Sequence, residues 1–240
     1  MNIYETKTMG ERLLGNAYAG RGIVIGKTED GKNAAVAYFI MGRSENSRNR
    51  VFTLKDEVLY TEPYDVTKVK DPSLIIYAAL RKYENKLVVT NGDQTDTVYE
   101  YLKAGKCFGS ALATRDFEPD APNFTPRISG MLTFGEGDFT YEMSILKSID
   151  EKGSATARHL FSYPAQNGLG HFIHTYVKDG NPLPTFQGEP ERVSIPSDME
   201  VFAKDIWESL DEENKISLYV RYTSLADGSY KDICINKNQA

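Results

Sequence analysis

Alternation of apolar and polar residues, the pattern of a strand with one buried face, recurs along most of this chain. Residues 22–27 and 34–41 flank a turn of sequence Glu-Asp-Gly-Lys and predict an antiparallel hairpin at the start of the domain. Further strands are predicted at 50–54, 57–62, 86–90, 127–134, 139–149, 157–163, 170–177, 215–223 and 230–235. So many strands with few helices between them favour an α+β fold with mainly antiparallel sheets over a simple α/β winding.

Helical patterns are fewer than strand patterns. They are found at 73–81, 94–103, 107–114 and 198–210. The last is the clearest, because Ser197 and Glu200 have the spacing of a capping box and the apolar residues up to Leu210 fall on one face. Residues 179–196 contain four prolines and two glycines, so we expect an irregular excursion there. The simplest architecture is one domain, residues 1–240, of two antiparallel sheets faced by helices.

Composition and charge exclude several functional classes. With 28 basic and 34 acidic residues the net charge is −6, which argues against binding of a nucleic acid polymer. No apolar run has the length of a signal peptide or a membrane span, so we expect a cytoplasmic protein without a membrane partner. Cys107 and Cys234 lie far apart, and His171 and His174 point to opposite faces of a predicted strand, so we expect no metal site.

The densest group of polar residues follows the second predicted strand. Arg43, Arg48 and Arg50 lie there among hydroxyl and amide side chains, including Ser44 and Asn49. Arginine can donate two parallel hydrogen bonds to a phosphate, and in an extended segment 48–52 two of these guanidinium groups would share a face. The segment is therefore a candidate phosphate site. The alternative interpretation is a solvated, charged hairpin loop.

A second candidate site lies where a predicted strand breaks and a helix begins, at Asn91 and Gly92. Such a turn presents free backbone donors, and the amide of Asn91 suits a purine-like carboxamide. Gly92, Asp93 and Thr95 are the further candidate contacts with a ligand. In the structural alternative, Asp93 and Asp96 only cap the helix, as its N-cap and its third-position acid.

Three single residues complete the candidates. Arg21 lies between two glycines that would let a ligand approach the backbone, although alone it is a weak signal. Thr125 and Arg127 flank a proline at the start of a predicted strand, where Arg127 binds an anion or a carbonyl, or else forms a surface salt bridge. Tyr77, in a predicted short helix, could orient a leaving hydroxyl group, although most such tyrosines only pack.

Taken in order, these motifs resemble those of the archaeal-type inosine monophosphate (IMP) cyclohydrolases. The motifs are Tyr18-Ala19-Gly20-Arg21, Arg43-Ser44 followed by Asn49-Arg50, Pro72 with Tyr77, Asn91-Gly92-Asp93-Gln94-Thr95-Asp96 and Thr125-Pro126-Arg127-Ile128. The resemblance covers residues 18–134, with 1–17 as an N-terminal extension. The segment Phe186-Gln187-Gly188-Glu189-Pro190 and the histidine segment resemble features of a longer bacterial branch.

The resemblance implies a four-layer αββα sandwich similar to that of N-terminal nucleophile hydrolases. It also implies dehydrative ring closure of 5-formamidoimidazole-4-carboxamide ribonucleotide to IMP in purine biosynthesis, without a metal or organic cofactor. The implied partners are this purine nucleotide and further copies of the chain in a homo-oligomer. Since no Cys, Ser or Thr stands at the start of the sequence as an amino-terminal nucleophile, we expect no covalent mechanism.

Under this resemblance, the candidate residues acquire roles. The three arginines of the 43–50 segment bind the phosphate or the developing oxyanion. The catalytic candidates are Arg21 and Arg127 for carbonyl polarisation, Asn91 for the carboxamide, and Tyr77 or Asp96 for proton transfer. The candidates for substrate binding are Arg43, Ser44, Arg48, Asn49, Arg50, Gly92, Asp93, Thr95 and Thr125.

Two other functions stay open at this point, and so do the roles of His171, His174 and Glu189. One is a nucleotide-sensing module that keeps the arginine pocket but has no turnover. The other is an amide hydrolase of the same sandwich fold, which would need a nucleophile exposed by processing.

Overall fold

A computed structural model describes residues 2, 4–69 and 76–238. The helices are α1 (Met9–Leu13), α2 (Glu45–Arg48), α3 (Gln94–Lys103), α4 (Phe108–Leu112) and α5 (Met199–Ser209), with a short 3-10 helix at Val66–Lys68. The strands are β1 (Arg21–Lys27), β2 (Asn33–Met41), β3 (Val51–Lys55), β4 (Val58–Glu62), β5 (Tyr77–Tyr83), β6 (Lys86–Thr90), β7 (Arg127–Phe134), β8 (Phe139–Ser148), β9 (Thr156–Pro164), β10 (Leu169–His174), β11 (Glu191–Ser194), β12 (Lys215–Ser224) and β13 (Tyr230–Asn236).

The strands form two sheets. The six-stranded sheet has the order β11-β10-β1-β2-β12-β13, and the seven-stranded sheet runs from β3 to β9 in sequence order. Every pair of neighbouring strands is antiparallel. The chain is therefore α+β with mainly antiparallel sheets, as the alternating pattern predicts.

Side-chain alternation along β2 explains where the cores form. Val36, Tyr38 and Ile40 belong to a cluster that also contains buried residues of the seven-stranded sheet, such as Val89 and Ile128. The intervening residues of β2 point the other way, into a second cluster with α1 and α5. A third cluster joins α3 and α4 to β6, β7 and β8. Each sheet is thus buried on both faces over much of its area.

The predicted strands all overlap observed strands, but one predicted helix is wrong. Of its residues 73–81, 73–75 lie outside the described residues, and Tyr77–Tyr83 form β5, which pairs with β4 and β6. Residues 77–80 are buried without alternation. A short apolar run of this kind does not distinguish a helix from a fully buried strand.

Local chemistry accounts for two smaller corrections. The N-cap of α5 is Asp198, whose carboxylate accepts hydrogen bonds from the backbone N–H groups of Glu200 and Val201. The hydroxyl of Ser197 instead accepts from the backbone of Asp30. Within the predicted excursion, residues 191–194 form β11, because they pair with the edge of β10.

Candidate active site

A polar cavity of about 270 Å³ lies beside the start of β1 and the loop that follows β2. We call it the arginine cavity. It is also bounded by the segment between α4 and β7 and by the excursion after β10. The lining residues are Tyr18, Arg21, Arg43, Ser44, Asn46, Ser47, Arg50, Glu118, Asp120, Asn123, Thr125, Tyr176 and Leu183.

Arg21 is directed into the space between the sheets by its strand position. It pairs with Ile40, which belongs to the cluster between the sheets, and paired residues on neighbouring strands share a face. The preceding Gly20 has φ +80°, and a Cβ atom there would meet the Thr175 hydroxyl at 2.2 Å. Only glycine fits this close approach, by which the Arg21 backbone N–H donates to the Thr175 Oγ1 at 3.1 Å.

Arg50 brings a second guanidinium group to the same cavity. It is 3% exposed, and its Nε donates to the Ser47 carbonyl at 2.9 Å. Burial, and then the charge of Arg21, lower the pKa of Arg50. Nη1 of Arg50 and Nε of Arg21 are buried and have no hydrogen-bond partner among the described residues. Two close cations with unused donors form a site for an anion.

Glu118 supplies a buried carboxyl group beside these arginines. It is 6% exposed, and its backbone N–H donates to the Thr125 carbonyl at 2.9 Å. Burial raises the pKa of Glu118 above its ordinary value, although Arg21, Arg127 and Arg50 each act to lower it. A buried carboxyl group with a raised pKa is suited to both holding and releasing a proton in acid–base chemistry.

The groups around Arg21 keep its guanidinium group protonated. Burial by itself lowers the pKa of Arg21, but the neighbouring groups Tyr18, Glu118 and Tyr176 outweigh burial, and the pKa lies above its ordinary value. Arg21 therefore stays charged at any working pH.

Two phenols lie close to both guanidinium groups. The hydroxyls of Tyr38 and Tyr77 are 2.9 Å apart. Burial, and then Tyr77, raise the pKa of Tyr38 well above its ordinary value, and the charges of Arg21 and Arg50 only partly oppose this shift. The Tyr38 phenol is consequently protonated and able to donate. Tyr77 reaches this position from a strand, not from the helix that its local sequence favours.

Arg43 connects the cavity rim to the excursion. Its Nη1 donates to Asp179 Oδ1 at 2.5 Å and to the Gly180 carbonyl at 2.8 Å. The guanidinium carbon also lies 5.1 Å from the ring centroid of Tyr18. Arg43 thereby holds one part of the excursion against the site.

The floor of the cavity is fixed by a compact polar network. The Thr125 hydroxyl contacts the Asp120 carboxylate and lies 2.5 Å from the Tyr176 hydroxyl. The Thr125 backbone N–H also donates to Asp120 Oδ1 at 2.6 Å. These bonds order the segment that carries Glu118.

Arg48 does not join Arg50, so the prediction that they share a strand face is wrong. Arg48 is the last residue of α2, and its guanidinium group donates to the Gly42 carbonyl at 3.0 Å and to Asn214 Oδ1 at 2.9 Å. Asn49 exchanges two hydrogen bonds with the backbone of Asp65, at 2.8 and 2.7 Å. A four-residue helix, which the sequence pattern is too short to reveal, turns Arg48 away.

Ser44 combines a structural position with a place at the rim. Its hydroxyl accepts from the Ser47 backbone N–H at 3.1 Å and so caps α2. It also lines the arginine cavity.

The Asn91 segment lies outside the lining of the arginine cavity. Asn91 is 1% exposed, and its amide donates to the Pro126 carbonyl at 2.9 Å and accepts from the Ile128 backbone N–H at 2.9 Å. The Gly92 carbonyl accepts from the hydroxyls of Thr90 and Thr95. These bonds tie the end of β6 to the start of β7 and α3.

Asp93 and Asp96 are both engaged in ion pairs. Asp93 is the N-cap residue of α3 but makes no side-chain capping bond, and it pairs with Arg115 at 2.5 Å and Arg127 at 2.7 Å. Burial raises the pKa of Asp93, but these two arginines outweigh burial and the net shift is downward. Asp96 pairs with Arg81 at 2.5 Å on the exposed side of α3. Asp93 therefore stands at the predicted N-cap position, but the prediction that its side chain caps the helix is wrong.

Arg127 lies behind the cavity wall. Its Nη1 donates to Gln94 Oε1 at 2.8 Å, while its Nε is buried without a partner among the residues that the structure describes. Its charge reaches Glu118, since it helps to lower the pKa of that carboxyl group. Arg127 thus contributes to the electrostatics of the site without lining it.

Sequence reasoning missed Glu118, together with the neighbouring acid Asp120 and amide Asn123. They occupy the segment 114–126, which shows no periodicity. In a chain with 34 acidic residues, one glutamate destined for burial carries no distinguishing signal. The prolines within this segment, Pro119, Pro122 and Pro126, are the only hint that it adopts a defined loop.

Two features that bear on function are absent from the residues that the structure describes. Within residues 2, 4–69 and 76–238, no group of three or more His, Cys, Asp and Glu side chains is placed to hold a metal ion. No helix in the described part of the chain has the length and apolar character needed to cross a bilayer.

Comparison with known proteins identifies the family. The model of the IMP cyclohydrolase-like protein family matches residues 18–228, a range that contains every residue lining the arginine cavity. The chain belongs to this family. The resemblance found in the sequence motifs is thereby confirmed.

Archaeal IMP cyclohydrolases are among the relatives. The chain is 28% identical to the IMP cyclohydrolase of Methanococcus aeolicus over 163 residues, which are 66% of this chain and 74% of the relative. It is 33% identical to that of Methanopyrus kandleri over 123 residues, or 50% and 60% of the two chains. For Methanocaldococcus jannaschii the values are 34% over 121 residues, 50% and 58%. The last two matches span less than two thirds of the relatives.

Proposed function

We propose that this protein is an IMP cyclohydrolase, which closes the pyrimidine ring of 5-formamidoimidazole-4-carboxamide ribonucleotide by dehydration in purine biosynthesis. The relatives that bear this name support the activity. The observation that carries the proposal is a pair of guanidinium groups, those of half-buried Arg21 and buried Arg50, which have unused buried donors beside the buried carboxyl group of Glu118.

Substrate binding begins at the rim of the cavity. Arg43, with the hydroxyl of Ser44, binds the 5′-phosphate, because both are exposed donors that line the cavity near its mouth. Arg21 and Arg50 lie deeper and polarise the formyl carbonyl. One phenol of the Tyr38–Tyr77 pair donates to the oxygen that develops negative charge, while the other donates within the pair.

The first step joins the carboxamide nitrogen to the formyl carbon of the same molecule. Holding the two groups in contact supplies several kcal/mol of the barrier, since well-placed intramolecular reactions gain about 7–11 kcal/mol. Glu118 accepts a proton from the attacking nitrogen, and the formyl oxygen, stabilised by Arg21 and Arg50, takes up a proton to become a hydroxyl group.

The second step expels water. The hydroxyl group leaves with a proton returned by Glu118, and the former formamido nitrogen gives up its proton as the C–N double bond forms. Protons balance over the two steps, because solvent supplies the first proton of the oxygen and receives the proton of the former formamido nitrogen. In total, two protons leave nitrogen atoms and two depart with the oxygen. Arg127, held by Asp93, tunes the acidity of Glu118 from behind the wall.

Several of the candidate residues have structural roles in this scheme. Arg48, Asn49, Asn91, Gly92 and Thr95 support the backbone around the site through the bonds described above. Thr125 fixes the floor, and we leave Asp96 out of proton transfer because it pairs with Arg81 outside the cavity.

We also propose a four-layer αββα sandwich like that of N-terminal nucleophile hydrolases. The packing of α1 and α5 against one sheet and of α3 and α4 against the other supports it. A single domain, a cytoplasmic location and a homo-oligomer stay predictions.

The test is an ultraviolet absorbance assay of IMP formation by purified protein, with a matched pair of variants. Arg50→Met removes a guanidinium group that lines the cavity, whereas Arg48→Met removes one that lies two residues away and bonds to Gly42 and Asn214. We expect Arg50→Met to lower kcat/KM by about 100-fold or more and Arg48→Met to stay within about three-fold of wild type.

Other outcomes would overturn the proposal. Equal loss in both folded variants would place the site elsewhere. A folded wild-type protein that binds IMP without turnover would favour the nucleotide-sensing module instead.

A further inference from the structure

A second cavity, of about 160 Å³, lies at another edge of the space between the sheets. We call it the distal cavity. It shares no lining residue with the arginine cavity. Its walls come from the β5–β6 hairpin, the end of β7 and the β12–β13 hairpin, and they are Lys82, Glu84, Asn85, Leu87, Phe134, Gly135, Arg221, Thr223, Ser224, Leu225, Gly228 and Tyr230.

Arg221 places a charge in this interior region. It pairs with Val36 of β2, which belongs to the cluster between the sheets, so Arg221 faces the same space. Arg221 is 2% exposed. Arg21 pairs with Ile40, which lies four residues beyond Val36 along β2. The two arginines are therefore about 13 Å apart along the strand direction.

The contacts of Arg221 leave part of its guanidinium group unsatisfied. Nε donates to the Tyr219 hydroxyl at 2.8 Å, and the Tyr230 ring centroid lies 3.7 Å from the guanidinium carbon. Nη2 is 3.8 Å from Asp232 Oδ2, too far for a hydrogen bond, and this buried nitrogen has no partner among the described residues. The Asp232 carboxylate instead accepts from the Tyr219 hydroxyl at 2.8 Å.

An interior cation with an unused donor is costly unless an acceptor reaches it. Arg221 also lines the distal cavity, so an acceptor in that space can approach its guanidinium group. Lys82 adds a second positive charge, and the hydroxyls of Thr223 and Ser224 add short polar contacts. Glu84 carries the opposite charge, and since both Lys82 and Glu84 are exposed, solvent screens the field of each.

The other residues that line the distal cavity indicate the chemistry of the uncharged part of the ligand. Leu87, Phe134 and Leu225 present apolar side chains to the cavity. A fully hydrated inorganic anion would lose water against these walls without compensation, whereas an organic anion can cover them with hydrocarbon. The volume corresponds to about five water molecules at ~30 Å³ each, which limits the ligand to a short chain.

We propose that the distal cavity binds a small organic carboxylate, with the carboxylate held by Arg221 and the hydrocarbon against Leu87, Phe134 and Leu225. This site is separate from the one assigned to ring closure. Its ligand is a second small molecule that the reaction itself does not require.

The first experiment is a titration of the full-length, ¹⁵N-labelled protein followed by amide chemical shifts. Isovalerate is the probe, and isovaleramide is its uncharged isostere. We expect saturable shifts for isovalerate at residues 221–230, 82–87 and 134–135, with shifts for isovaleramide at least ten-fold weaker in apparent affinity.

Variants sharpen this result. Arg221→Met should weaken isovalerate binding by about ten-fold or more, and Lys82→Met, an exposed change that leaves the interior intact, should weaken it by about two- to five-fold. If Arg221→Met does not fold, Lys82→Met and the isostere comparison still decide the question.

Four outcomes would overturn the proposal, and three of them concern the choice of ligand. These are the absence of saturable shifts for isovalerate, equal binding of isovalerate and isovaleramide, and binding of inorganic phosphate at these residues without isovalerate. Shifts confined to the residues of the arginine cavity would also overturn it, while leaving the cyclohydrolase activity untouched.

Discussion

The arginine cavity and the distal cavity handle buried charge in different ways. In the arginine cavity, Arg21 lies close enough to Arg50 to lower the pKa of Arg50. Several cations also act on the buried carboxyl group of Glu118. In the distal cavity, Arg221 has no second buried cation beside it among the described lining residues; it is stacked on Tyr230 and lies 3.8 Å from Asp232. Converging like charges indicate chemistry on an anion, because the fold gains nothing from placing them together.

His171 lies level with Arg221 in the same sheet and shows a different way of burying a basic side chain. His171 pairs with Ile25 of β1, which pairs in turn with Val36, the partner of Arg221. His171 is 4% exposed and accepts or donates one bond with the Tyr141 hydroxyl at 2.6 Å. Burial, and then Arg192, lower the pKa of His171 to about 4, so the ring stays neutral. A histidine can discard its charge, whereas an arginine cannot.

The strongest test of this contrast is Glu118→Gln, with Glu142→Gln as its control. Burial raises the pKa of both glutamates, but only Glu118 lines the arginine cavity. We expect Glu118→Gln to lower kcat by about 100- to 1,000-fold and Glu142→Gln to keep near wild-type turnover.

The pH profile supplies the second readout of the Glu118 variant. If Glu118 is the base, the wild-type kcat/KM rises with pH through a pKa above the ordinary glutamate value, and the residual activity of Glu118→Gln lacks this rise. An unchanged profile in the variant would contradict the assignment.

A change in stability is expected from His171→Gln. The folded pKa of about 4 lies below the ordinary value of 6.5, so the stabilisation is complete above pH 6.5 and is lost as the pH falls toward 4. Chemical denaturation at several pH values measures this loss. Between pH 6.5 and pH 4, the free energy of unfolding of the wild type should fall by up to about 3 kcal/mol more than that of the variant. His159→Gln, at an exposed histidine, should retain the wild-type dependence.

Arg43→Met tests the rim of the arginine cavity. We expect KM to rise about five- to ten-fold with little change in kcat, because a rim contact with phosphate is equal in the ground and transition states. Asp179→Asn breaks the ion pair but leaves Arg43 free for phosphate, so its KM should not rise. Equal increases in both variants would show that Arg43 only holds the excursion.

The smallest effect is expected from Asp96→Asn, which removes an exposed ion pair with Arg81. The free energy of unfolding should change by about 1 kcal/mol or less, and steady-state kcat should stay within about two-fold of wild type. A 100-fold loss of activity would return Asp96 to the catalytic residues.

Particular residues show how far the sequence could predict the site. Arg43 and Arg50 are candidates because they interrupt an acidic chain next to a strand end, and Arg21 is one because it lies between two glycines. The structure places a cavity beside all three. Arg48 has the same composition signal but faces Asn214, since a single turn of helix intervenes. Asn91 drew attention as a polar residue at a strand end, yet its amide is occupied by backbone groups.

The sequence by itself determined the α+β class, most strands and helices, and the ordered motifs of the family, because these depend on local periodicity and on residue order. Only the tertiary structure decided that residues 77–80 form a buried strand, that Glu118 lies among arginines and that Arg221 faces a second cavity. Burial and the approach of distant charges determine these features, and neither is encoded in a short window of sequence.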